Sequence, residues 1–183
     1  MIRHSRSGFS LISYLFVLAL VAIALSFFFR VYRVGENGMY PTISPGGFVV
    51  ARLQPYKSSA DVQRGDVIVF EQGEKEQRQQ CVWRVIAIGG DTIALEGRSV
   101  SINGKRLLHR EVREEGEAMI VRETNHGREY NVAYDINATH PGLPLAARVE
   151  PGYFFVLGDN RNAAKDSTYI GAVPFAAILA KKL

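Results

Sequence analysis

From Phe9 to Phe29 the chain runs for 21 residues without a charged side chain. At helical rise this is about 31 Å, close to the roughly 30 Å hydrocarbon core of a bilayer. The pattern predicts one membrane-spanning helix over 9–29 behind a short cytoplasmic tail, 1–8. From Val31 onward helical periodicity gives way to short apolar or alternating runs: Phe48-Val49-Val50, Val67 to Phe70, Val82 to Ile88, Thr92 to Leu95 and Phe154 to Leu157. Turn formers separate them, among them Pro45-Gly46-Gly47, Arg64-Gly65-Asp66, Gly89-Gly90-Asp91 and Gly158-Asp159-Asn160. Many short strands at close spacing predict a mainly β domain over 30–183, a sandwich or barrel. Ser99 to Lys105 reads as a hairpin, because Asn103-Gly104 suits the positive-φ positions of a tight turn. The more polar stretch Glu111 to Arg148 reads as an elaboration inserted into the sheet. Ala176 to Leu183, apolar and then basic, reads as a terminal strand or turn.

The start of the apolar run carries two competing signals. Ala22-Ile23-Ala24 has the small-x-small character of a cleavage site, yet the apolar run continues through Phe29, which favours a retained anchor. Gly8-Phe9-Ser10-Leu11-Ile12 resembles the processing site of a type IV pilin, with Ser13 where pilins carry glutamate. That match is five residues long in a composition that favours it by chance, so a pilin-like component is the weaker reading. Arg3 and Arg6 precede the run and Arg30 and Arg33 follow it, so charge leaves the orientation open.

Composition adds exclusions. The 183 residues allow one domain plus an anchor, and 47% hydrophobic residues suffice for a core. The net charge of +4 is spread along the chain. It suits an anionic membrane surface better than nucleic acid, whose short motifs are missing. Cys81 is the only cysteine, so no intrachain disulfide forms. His4, His109, His126 and His140 have no metal-ligand spacing, so no metal and no cofactor is expected.

Four blocks in order resemble type I signal peptidases. They are Gly38-Met39-Tyr40-Pro41-Thr42-Ile43; Arg64-Gly65-Asp66-Val67-Ile68-Val69-Phe70; Trp83-Arg84-Val85-Ile86-Ala87-Ile88-Gly89-Gly90-Asp91; and Gly158-Asp159-Asn160-Arg161 through Asp166-Ser167, with Gly171 and Val173-Pro174 beyond. The resemblance implies an antiparallel β core with an inserted β cap over about 96–152, a serine/lysine endopeptidase ancestry and a part in processing exported preproteins. It also implies a bacterial plasma-membrane location: single-pass, N-terminus inside, main domain extracytoplasmic. The partners it implies are the lipid bilayer and signal peptides or preproteins. Oligomeric state is left open.

The resemblance also assigns positions. A Ser/Lys peptidase needs a hydroxyl nucleophile, a neutral amine to take its proton and donors for the oxyanion. The nucleophile position is Gly38, which has no side chain. The base position is Trp83, whose indole N–H donates only. The oxyanion-serine position is Glu36 and the lysine-orienting position is Ala164. Tyr32, Val34, Asn37, Met39, Tyr40 and Val82 fall where the family lines its substrate pockets. Pro41, Asp159, Arg161 and Asp166 read as structural, the last three as one polar network. The expectation is a protein that no longer cleaves but keeps a peptide-binding or assembly role, with Trp83 filling the space that the lysine leaves; that it plugs or reshapes the peptide groove is the less favoured reading. An active peptidase with an unrecognised nucleophile is the alternative. For it, Cys81 on the same strand face as Trp83, Thr42 and Ser44 are candidates, though Thr42 reads as bonding backbone and Ser44 as a turn residue. Lys57 and Lys75 read as solvated.

Overall fold

A computed structural model describes residues 11–74, 78–138 and 144–183. It holds two α-helices, α1 (Leu11–Ser26) and α2 (Ser167–Ile170), and fourteen strands among those residues. In chain order the strands are β1 (Phe29–Arg33), β2 (Phe48–Leu53), β3 (Val67–Gln72), β4 (Gln79–Ile88), β5 (Thr92–Glu96), β6 (Ser99–Ile102), β7 (Lys105–Arg106), β8 (Leu108–Glu115), β9 (Ala118–Asn125), β10 (Arg128–Asp135), β11 (Leu145–Arg148), β12 (Tyr153–Leu157), β13 (Val173–Pro174) and β14 (Ile178–Lys182).

The helix is shorter than its apolar pattern. It stops at Ser26, Phe27 and Phe28 turn, and Phe29 already pairs with Arg52 in a strand. Among the described residues no helix is long and apolar enough to cross a membrane. The expected helix over 9–29 is therefore corrected at its C-terminal end. A strand partner for Phe29 is a long-range fact that hydropathy does not contain. Residues 1–8, Phe9 and Ser10, and with them most of the pilin-like segment, lie outside the described residues. So do Lys75 and His140.

The remainder is mainly β, and every strand pairing is antiparallel. A seven-stranded sheet runs β1-β2-β14-β3-β4-β12-β13, a four-stranded sheet β11-β5-β6-β7 and a three-stranded sheet β10-β9-β8. All five strand runs read from the pattern are strands, and Ala176 to Leu183 contains β14, wedged between β2 and β3. The Asn103-Gly104 turn forms with both φ values positive, 52° and 74°. Glu111 to Arg148 departs from expectation. Most of it forms a meander with its own sheet rather than an insert in the larger one. Its second hairpin turns at His126-Gly127, again with φ values of 48° and 81°.

Two apolar cores share β4 and β12. Trp83 and Val85 of β4, with Phe154 and Val156 of β12, pack with Met39, Ile68 and Phe70. Ile86 and Ala87, with Phe155 and Leu157, pack with Ile93, Val132 and Tyr134. The residues of β12 alternate between the two cores, and a bulge between Phe155 and Val156 shifts the β4–β12 register so that Ile86 of β4 has no partner on β12. Bulges bend a strand and re-aim its side chains, which suits a strand that serves two cores.

Candidate functional site

The loop 34–47 joins β1 to β2 and is pinned at its neck by two backbone bonds between Val34 and Gly47 and between Gly46 and Val34, both 2.8 Å. Inside it Met39 is fully buried and anchors the loop in the first core. Gly38 lies directly against Trp83 of β4. A Cβ built on Gly38 would fall within the van der Waals envelope of Trp83 Cη2 and Cζ3, and 3.6 Å from Ala164 Cα. Only a residue without a side chain fits there while the indole holds its place.

Gly158 repeats the constraint from the other side. A Cβ on it would overlap Ala164 Cβ and lie 2.6 Å from the Gly38 carbonyl oxygen and 3.3 Å from Trp83 Cζ3. The Gly38 carbonyl accepts from the Asn160 N–H at 3.0 Å. The segment 158–164 is thus docked backbone-first on the Gly38 loop, with the indole between them. β1 and β4 stand first and fifth in the seven-stranded sheet, so the sheet coils enough to bring the continuation of one against the other.

Buried ion pairs hold this arrangement. Arg84, the residue after Trp83, donates twice to Asp159, Nε to Oδ1 at 2.7 Å and Nη2 to Oδ2 at 2.6 Å. It also donates to the Gly65 carbonyl at 2.8 Å and to Thr42 Oγ1 at 3.2 Å. One guanidinium therefore ties the Gly38 loop, β4 and the 158–164 loop together in the two-pronged geometry that suits carboxylates. Arg161 reaches elsewhere, donating to Glu123 of β9 at 2.6 Å and to the Tyr134 hydroxyl at 3.1 Å. Asp166 accepts from the Gly158 N–H at 2.9 Å and caps α2 through Thr168. Burial pushes the Asp166 carboxyl up, against those bonds. Asp159, Arg161 and Asp166 therefore do not form the single network expected of them; each takes a separate partner. Two of those partners, Arg84 and Glu123, are absent from the positions the resemblance assigns. Arg84 lies in the family-like block Trp83 to Asp91, whereas nothing in the sequence marks Glu123, a glutamate with no exposed surface in an ordinary-looking strand.

Glu123 accepts from Arg161, from the Tyr130 hydroxyl at 2.7 Å and shares a 2.8 Å contact with His109 Nε2. Burial pushes its carboxyl up, but the Arg161 charge and these three bonds outweigh it and hold the group down, from 4.5 to about 2. A depressed acid stabilises the fold above its unfolded value and loses that contribution as pH falls towards the folded one. The difference corresponds to about 3 kcal/mol, present above roughly pH 4.5 and removed towards pH 2. Chemical denaturation at pH 7 and pH 3 is expected to show wild type losing more stability than Glu123→Gln by most of that amount. Equal losses would remove the coupling.

The other assigned positions divide by exposure. Glu36 and Asn37 are exposed, Tyr40 and Val82 half-buried, and Tyr32 and Val34 buried beside Met39. Only Asn37, Tyr40 and Val82 of the expected pocket lining offer a peptide much surface. Pro41 follows Tyr40 at a half-buried turn. Thr42 is corrected: its hydroxyl accepts from Arg84 rather than bonding backbone. Ser44 is a turn residue, its carbonyl accepting from the Gly47 N–H at 2.9 Å. Lys57 is exposed. Cys81 is half-buried in the first core, 3.5 Å from Gln72 Oε1. Burial, and then the negative charge of Glu36, push its thiol up. A thiol held protonated is a poor nucleophile. Among the described residues no cluster of side chains has the makings of a metal site.

A family model described as signal peptidase, peptidase S26, matches residues 9–183. The chain belongs to the signal peptidase family. It is similar to signal peptidase I of Bacillus caldolyticus, 30% identical over 161 residues that cover 88% of this chain and 81% of that protein. It is similar too to signal peptidase I P of Bacillus subtilis subsp. natto, 31% identical over 156 residues covering 84% and 74%. Among solved structures, a signal peptidase I from Enterococcus faecalis V583 aligns at 26% identity with a TM-score of 0.37, covering 64% of this chain and 93% of that one. Membership of the signal peptidase family rests on the sequence matches.

Proposed function

We propose that this protein is a membrane-anchored signal peptidase relative that engages exported peptides without cleaving them. The observation that carries the reading is the seating of Trp83 against Gly38. Where the family resemblance places a nucleophile and a base there is a backbone CH2 and an indole, and neither offers a lone pair for attack or proton abstraction. Glu36 adds negative charge beside the place where an oxyanion would need donors. Ala164 has no hydroxyl with which to orient a base.

Peptide engagement needs less than catalysis. β12 pairs with β4 only from Arg84 to Ile88, and among the described residues no strand pairs with Gln79 to Trp83 on that side. β1 is the outer strand of its sheet. Strand addition to such edges supplies backbone hydrogen bonds, with Asn37, Tyr40 and Val82 beside them for side-chain contact. The anchor is α1, which is apolar on all sides and buries no residue against the domain. By the same reading residues 1–8 are cytoplasmic, the apolar run that holds α1 and ends before β1 forms the anchor, the β domain that follows is extracytoplasmic at a bacterial plasma membrane, and 96–152 is a variable cap.

Trp83 is the chain's only tryptophan, so its fluorescence reports directly on the site. Purified full-length protein in lipid is expected to leave a secretory preprotein intact while a signal peptide titrates the emission. Turnover retained through repurification would sink the reading, and so would an emission unchanged at any peptide concentration. Against the reading of an active enzyme with a substitute nucleophile stand the Thr42 hydroxyl, which accepts from Arg84, and the Cys81 thiol, which burial pushes up.

A further inference from the structure

We infer that Glu36 is a specificity residue of this site and selects extended peptides that carry a lysine or arginine close to the residue facing Trp83. This deepens, and rests on, the reading of the site as one that engages peptides without cleaving them. Three segments meet here. The loop 34–47 touches β4 where Gly38 lies against Trp83. Among the described residues no strand pairs with Gln79 to Trp83 on the side where β12 has ended. The turn between β8 and β9 reaches the loop at Tyr40, whose hydroxyl bonds Glu115 and holds that carboxyl down. Glu36 and Cys81 each stand two residues before the contact of Gly38 with Trp83. The negative charge of Glu36 is felt at the Cys81 thiol, so this carboxylate lies alongside the open edge.

Charge and hydrogen bonding identify the occupant. Gln79 to Trp83 carries no charge, and the loop 34–47 carries Glu36 alone. Residues 113–117 add Arg113, Glu114, Glu115 and Glu117. One base and four acids sum to 1 − 4 = −3, in a chain that nets +4. Arg113 is spent on Glu115 at 2.7 Å. Among the described residues Glu36 has no ion-pair partner. The second deficit is an acceptor. Trp83 Nε1 is buried and has no hydrogen-bond partner, a condition that few buried donors show. The far end of the indole, Cη2 and Cζ3, is the part against Gly38, so the N–H lies nearer β4. A peptide strand laid on the open edge brings backbone carbonyls towards that N–H, and a basic side chain on it meets Glu36. A metal ion or a free amine would supply the charge but no acceptor, and an acidic peptide would be repelled.

The test uses full-length protein in nanodiscs of phosphatidylcholine alone, so that the bilayer adds no net charge, with tryptophan-free signal peptides read by the emission of Trp83. Lysine, its uncharged isostere norleucine and glutamate are placed in turn at each position of the peptide's C-terminal region. At one position lysine is expected to bind about threefold more tightly than norleucine, the scale of a solvent-exposed ion pair, and glutamate more weakly than either. Half-molar salt is expected to remove most of the difference. Glu36→Gln is expected to erase the preference and Glu36→Lys to reverse it in favour of glutamate, both with the thermal melt unchanged. Equal binding of the three peptides at every position overturns the inference and leaves peptide engagement standing. Emission unchanged by any peptide removes both. A lysine preference that survives Glu36→Gln, and is lost only in Glu114→Gln with Glu117→Gln, takes the selection away from Glu36 and overturns its assignment.

Discussion

Gly38→Ser made alone is expected to destabilise the protein by about 1–3 kcal/mol and to restore no peptidase activity. The reason is steric: any Cβ at that position enters the space of Trp83 Cη2 and Cζ3, and overpacking a filled core forces neighbours off their preferred rotamers at about that cost. Trp83→Ala alone is expected to cost about 3–5 kcal/mol, because it empties a site that is only 5% exposed. The two changes should not add. With the indole gone the nearest atom to a serine Cβ is Ala164 Cα at 3.6 Å, an ordinary contact, so the double variant is expected to lie close to Trp83→Ala alone. A double-mutant cycle in denaturant would therefore show a favourable coupling of about 1–3 kcal/mol. Strict additivity would mean that the indole does not occupy the notch in solution. The chemical corollary is that returning the family's residues piecemeal fails: the serine requires the tryptophan to leave first. Gly38→Ser with Trp83→Lys is the least change that returns both hydroxyl and amine, but it leaves Glu36 and Ala164 in place, so preprotein cleavage is expected only once Glu36→Ser and Ala164→Ser are added to that double variant.

The second large effect belongs to Arg84 and Asp159. Asp159→Ala is expected to cost about 3–5 kcal/mol, as is usual when one partner of a buried pair is removed. Arg84 has 7% of its side chain exposed and Asp159 1%, so the remaining charge would find little water. The loss would spread, since Arg84 also holds the Gly65 carbonyl and the Thr42 hydroxyl. Replacing both partners with apolar residues, Arg84→Met with Asp159→Leu, is expected to cost less than Asp159→Ala alone. Denaturant midpoints on purified variants decide this. A double variant no more stable than the single one would show that the pair contributes net stability rather than chiefly avoiding an unpaired charge. In either case the emission of Trp83, next in sequence to Arg84, should move when the 158–164 loop loosens.

Much of the strand pattern was legible in advance because its signals are local. The apolar run of Val67 to Phe70, the apolar stretch of Val82 to Ile88 interrupted only by Arg84, and the Asn103-Gly104 turn each depend on neighbours a few residues away. The hairpin at His126-Gly127 was not legible, because histidine is a less usual occupant of a positive-φ position than asparagine. Glu111 to Arg148 looked too polar to own a sheet. Glu123 and Asn125 are buried there with Ile120 and Val132, and buried polar residues are invisible to a hydropathy reading when their partners lie far along the chain. Glu123 meets Arg161 38 residues away, and Asn125 donates to the Ile86 carbonyl 39 away.

By itself the sequence determined the kinds of atom available at each assigned position. That Gly38 has no nucleophile and Trp83 no basic lone pair follows from residue identity alone. Only the tertiary structure decided what those residues do to one another. It ended the helix at Ser26 by giving Phe29 a strand partner, put Trp83 against Gly38 across a coiled sheet and sent Arg161 to Glu123. Contacts of this kind join residues tens of positions apart. Their free energies come from burial and partner geometry that exist only once the chain has closed on itself.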